Sequence, residues 1–167
     1  SFRGLWSAVL NNQAAQWEAA GDLSAALDAY RRGLAQQRIA FERAPQLLAS
    51  REALSRHYFN YGRALRASGQ PGLAAEAAQH RRALWAGHGP RLTSVAIELA
   101  LAAAAVRQQA DLPDANRQAD RLEAATAATL REAAAAGGDL AALRREAVFR
   151  TLQDPTIWTT IRGGATP

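Results

Sequence analysis

The chain has 167 residues, 49% of them hydrophobic, which is enough to bury one sizeable core and favours a single domain or a short helical array. All 20 basic residues are Arg and the formal net charge is +5; with Ala and Gly so abundant, GC-rich coding bias is the plain explanation, and an anion-seeking surface of planar guanidinium forks is the functional one. The absence of Cys excludes a disulfide framework, a thiolate metal site and a Cys nucleophile, so a cytoplasmic setting is expected. No long uncharged apolar run and no signal-peptide pattern occurs, so no membrane is expected; with no Met even at position 1, the chain reads as an excised segment of something longer.

Ala and Leu outweigh Val, Ile and the aromatics, a balance that favours packed helices. Gly, Pro and Asp recur where amphipathic stretches stop. The first stretch, about 3–20, carries Trp6, Leu10, Ala14 and Trp17 at helical spacing and breaks at Gly21-Asp22. A second, with Leu23, Ala26, Leu27, Tyr30 and Leu34 on one face, runs through Phe41 and stops before Pro45. The next pair places Leu47, Leu54, Tyr58, Tyr61 and Leu65 on a stripe, breaks at Gly69-Gln70-Pro71-Gly72, and continues from Leu73 to Trp85. A third pair covers about 91–136, with Leu92, Val95, Ala96, Leu99 and Val106 facing inward, and stops at Gly137-Gly138. Asp139 can then cap a last helix with Leu140, Leu143, Val148, Phe149 and Leu152 on its apolar face, and Asp154-Pro155 can start a short turn. This predicts an all-α domain over 1–162, with pairs at about 3–44, 46–85 and 91–136, a capping element over 139–162, and a tail at 163–167.

Helix pairs joined at a glycine turn, with a small residue midway along each first helix, resemble the tetratricopeptide repeat (TPR). Around Gly21, the close-packing, aromatic and small positions are filled by Ala14, Trp17, Ala26 and Tyr30; around Gly69, by Tyr58, Tyr61, Gly62, Leu65 and Ala74. The two glycines stand 48 residues apart, more than the usual spacing of about 34, and a long second helix through Phe41 accounts for the excess. Asn60-Tyr61-Gly62-Arg63-Ala64-Leu65, Arg81-Arg82-Ala83-Leu84-Trp85 and Val95-Ala96 with Glu98-Leu99-Ala100 are similar to the TPR arrays that follow the kinase domain in large GC-rich bacterial Ser/Thr kinases. The resemblance implies a right-handed superhelix of antiparallel pairs acting as a non-catalytic scaffold, a regulatory segment of a larger signalling protein. Kinase signatures are absent from this segment.

No enzyme constellation is legible. Glu76 and His80, four apart on a helix, are two possible ligands without a third, so no metal site is expected. Ser55 and His57 are two apart and do not face each other. His57 is expected to be partly buried or at the surface, and Trp6, Trp17, Trp85 and Trp158 to fill core. The glycine-rich segments lack the Lys and the strand-to-helix setting of a phosphate loop, and no cofactor is expected.

Charge is more telling. Residues 31–85 hold ten Arg against Glu42, Glu52 and Glu76, whereas nine Arg and nine acids follow from 86 onward. The excess reads either as a solvated helical face or as an anion-binding one. In a TPR hairpin the concave face is lined by the first helix, which places Arg56, Phe59, Asn60, Arg63 and Arg66 there. Asn60 falls where chaperone-binding TPR domains hold a carboxylate, and Asn12 stands at the same distance before its own turn glycine. Pro90 and Ser94, however, stand where those clamps have basic residues. The expected partner is therefore an acidic protein segment held by Arg63 and Arg66 with Phe59 beneath; a nucleic-acid binder using the same Arg surface is the alternative.

Overall fold

The computed structural model describes residues 2–109 and 113–163, without the side chain of Arg144. The described residues are all-helical, with seven α-helices and no strand: α1 (Phe2–Ala19), α2 (Leu23–Glu42), α3 (Leu48–Ala67), α4 (Pro71–Leu84), α5 (Gly89–Arg107), α6 (Ala115–Ala135) and α7 (Pro155–Gly163). They form two compact units, residues 1–77 and 78–167, divided within α4. Apart from Gly163, the tail expected over 163–167 lies outside the described residues.

In the first unit the hairpin turns follow from local chemistry. Gly21 and Gly69 take φ of +83° and +77°, a region that penalises a Cβ. Each lets the next residue reach back: Asp22 N–H donates to Trp17 O and Gln70 N–H to Leu65 O. Asp22 then caps α2, its carboxylate accepting from Ala25 N–H at 2.9 Å. Pro71 opens α4, where its fixed φ suits a first helical residue and its missing N–H costs nothing.

α1 and α2 run antiparallel, as the contacts of Arg3 with Gln36, Ser7 with Gln37 and Glu18 with Tyr30 show. α1 and α3 run parallel, since Ser7 meets His57, Asn11 meets Asn60 and Glu18 meets Arg63. Ala14, Ala26, Ala29, Tyr30 and Ala64 form the core where these helices approach. Small residues set the spacing. A Cβ at Gly62 would lie 3.2 Å from the Cβ of Ala77 on the facing turn of α4.

The second unit is built on the antiparallel pair α5 and α6, tied at one end by Arg107 against Asp120 and Glu123. Its core gathers Trp85, Leu92, Leu130, Leu140, Phe149 and Ile161. By length and composition α5 could cross a membrane, and half of it is buried within the protein. The single capping helix expected from Asp139 to Leu152 is corrected: 3₁₀ turns span Ala141–Arg145 and Ala147–Thr151, separated by Glu146 in extended conformation. Leu140 is the cap residue of the first of them, and Asp139, just before it, accepts from Ala141 N–H at 2.8 Å. The turn expected at Asp154-Pro155 is instead the start of α7, which buries Ile157 and Ile161.

Candidate functional site

A seam of buried polar side chains runs where α1, α2 and α3 meet. Ser7 hydroxyl lies 2.8 Å from Gln37 Oε1 and also donates to Gly4 O, while Gln37 Nε2 donates to Ser50 O. His57, expected to be partly buried or at the surface, is buried, and its two ring nitrogens face Ala53 O at 2.9 Å and Ser7 O at 3.1 Å. Buried polar groups of this kind are tolerated because each has a partner. The helical stripe marked only the apolar neighbours, Leu54 and Tyr58; the polar seam has no local signature in the sequence.

Further along, Glu18 joins all three helices. Arg63 forms a bidentate pair with it at 2.5 and 2.8 Å, and Tyr30 hydroxyl donates to the same carboxylate at 2.9 Å. Burial, then the Glu18 carboxylate, pushes the Tyr30 phenol up to about 12.

Of the expected partner-binding residues, the structure brings some together and commits others. Arg63 is held by Glu18. Asn60 donates to Asn11 Oδ1 at 3.1 Å, while Asn12 is exposed one position on. Phe59, on α3, is 40% exposed. Arg66 is half-buried, and its side chain makes no hydrogen bond or ion pair among the described residues. Arg56 is exposed and lines a cavity of about 380 Å³ to which Arg63 and Arg66 do not contribute.

That cavity lies between the start of α1, the end of α2 and the start of α3. Ser7, Gln37 and His57 line it together with Ala8, Ala40 and Leu47, and two cations, Arg43 and Arg56, face it. A second cavity of about 280 Å³ shares Arg43 and adds Phe2, Arg3, Trp6 and Gln36. Trp6 and Trp17, expected in the core, are 45% and 42% exposed. Trp6 belongs instead to a stripe with Phe2, Leu5 and Val9, all exposed, along one face of α1.

The arginine excess of residues 31–85 is partly offset by acids from outside that stretch. Five of its ten arginines meet them: Arg31 and Arg32 on Asp28, Arg63 on Glu18, Arg81 on Glu98 and Arg82 on Glu132. Burial lowers the Arg81 guanidinium to about 10, and with Glu98 against it the group stays charged at neutral pH. Among the described residues no three His, Cys, Asp or Glu side chains converge to hold a metal ion.

Comparison with protein-family models, with curated proteins and with solved structures finds no match for this chain. Its own geometry carries the functional argument.

Proposed function

We propose that the chain is a non-catalytic interaction module of TPR-like helix pairs, a regulatory segment of a larger signalling protein, and that it binds an acidic protein segment. The pairs belong, on this reading, to a right-handed array. One observation carries the proposal: in the first unit, α1 and α3 run parallel on either side of α2 in the chain, and beside them Arg43 and Arg56 have no carboxylate partner among the described residues. Internal pairing of half the central arginines weakens the case for a continuous basic track along a phosphate backbone, so the protein partner is favoured.

Competition distinguishes the two partners. A fluorescein-labelled peptide rich in Glu and Asp, with Leu and Phe between them, should bind the full chain saturably at low salt and weaken at moderate salt, since exposed ion pairs are screened beyond about 8–10 Å. A single-stranded oligonucleotide of equal charge should not displace it. Binding of the oligonucleotide without binding of the peptide would replace this reading with the nucleic-acid one.

A further inference from the structure

We infer that the acidic segment is received at the end of the first unit where α1 and α3 begin, with its carboxylates on Arg43 and Arg56 and its apolar side chains along Phe2, Leu5, Trp6 and Val9. The inference rests on the interaction-module reading and moves the guest away from Arg63 and Arg66.

Charge gives the first reason. The two adjoining cavities are lined by Arg3, Arg43 and Arg56, and no Asp or Glu lines either of them. Arg3 donates to the neutral Gln36, while the side chains of Arg43 and Arg56 make no hydrogen bond or ion pair among the described residues. Like charges gathered without a counter-charge repel one another, and an incoming carboxylate relieves that repulsion. At Arg63 the same role is already taken by Glu18.

Shape gives the second. Ala8, Ala40, Ala44 and Ala53 leave the larger cavity walled by methyl groups, which makes room for a side chain. The polar groups there, Ser7, Gln37 and His57, already bond one another or the backbone, so they shape the cavity without demanding a polar guest.

Extent gives the third, and it selects a peptide. Phe2, Leu5, Trp6 and Val9 recur at the spacing of one helix face, and Phe2 and Trp6 also line the smaller cavity, so the apolar stripe leads into the cationic pocket. From Phe2 to Val9 the stripe covers about 10 Å of helix axis. A single small carboxylate would occupy one cavity and leave the stripe in water. A segment with carboxylates and large apolar residues covers both, in the manner of a helix or strand laid along a groove.

The acidic, Leu- and Phe-containing peptide described above is titrated by anisotropy into the full chain and three variants. Arg43→Glu with Arg56→Glu is expected to weaken binding by about tenfold or more, Leu5→Ser to weaken it severalfold, and Arg66→Glu to leave it unchanged. Circular dichroism checks that each variant folds; Arg43→Gln with Arg56→Gln, which removes charge without reversing it, serves if the double reversal does not. Loss of binding in Arg66→Glu alone would overturn the location and leave the interaction module standing. Equal binding by the parent and the Arg43, Arg56 variants would also overturn it. Failure of the parent to bind any acidic peptide would overturn both readings.

Discussion

In the second unit Leu92, Leu99, Leu130, Phe149, Ile157 and Ile161 are fully buried, whereas the first leaves Phe2, Leu5, Trp6 and Val9 in solvent and threads Ser7, Asn11, Gln37 and His57 between its helices. The same building block, a pair of antiparallel helices, is thus finished in two ways. Around α5 and α6 the chain supplies its own cover from the segment after Gly138, and hydrophobic burial accumulates where neighbours interdigitate. Around α1, one face packs on α2 and α3 through Leu10, Ala14 and a seam of hydrogen bonds, while Phe2, Leu5, Trp6 and Val9 stay exposed. The difference teaches that apolar surface is used unequally: removed from water in one unit it holds the fold, and in the other it is left exposed beside arginines, as the proposed interaction module requires.

The sharpest way to break this contrast is to empty the better-packed core. Phe149→Ala should cost about 3–5 kcal/mol, read as a large drop in thermal midpoint with loss of amide-exchange protection in α5 and α6. A small change would mean that the closing segment is not core.

Next in size is Glu123, 2% exposed, which pairs with Arg107 at 2.7 Å and accepts the N–H groups of Gln153 and Asp154 at 2.8 Å each. Glu123→Gln removes the charge that Arg107 and both N–H groups share, and about 2–3 kcal/mol of destabilisation is expected in denaturant unfolding.

Gly62→Leu tests the first unit in the same units of energy. A Cβ there already meets Ala77 Cβ at 3.2 Å and Ala74 O at 3.4 Å, so the longer side chain should overpack the contact by about 1–3 kcal/mol. Amide protection should fall in α3 and the start of α4, and an unchanged melting temperature would show that the close approach is wrong.

The smallest effect appears only in alkali. Folding holds the Tyr30 phenol protonated up to about 12, against 10.0 for the ordinary group. As pH rises the unfolded chain therefore loses this proton first, so the stabilising contribution is intact below about pH 10 and is lost on the way to about pH 12. Tyr30→Phe should flatten that part of the stability profile, and an identical profile would remove Tyr30 from the account.

Helix ends were legible because their chemistry is local: Gly21, Gly69, Gly87 and Gly137, each read as a stop, all take positive φ. The segment after Gly138 was misread because Leu140, Leu143 and Phe149 fit a helical period, yet burial of these residues in a shared core overrides the i to i−4 ladder in so short a stretch. Periodicity also cannot say how many sides of a helix are covered, which is why Trp6 and Trp17 were expected inside. The candidate site depended on long-range pairing. Glu18 reaches Arg63 from 45 residues away and Asn60 reaches Asn11 from 49, and no local pattern marks either pair. The cavity of Arg43 and Arg56 joins three helices, and no window along the chain contains it.

The late arrival of the cover over α5 and α6 also has a consequence for synthesis. When α6 has left the ribosome, Leu92 and Leu130 are in place but Phe149, Ile157 and Ile161 are not, and the carboxylate of Glu123 still lacks the two backbone donors that come with Gln153 and Asp154. At about 5–20 residues per second the remaining stretch takes on the order of seconds to emerge. For that interval the hairpin presents an uncovered apolar surface, which the docking of the last segment, α7 included, then closes.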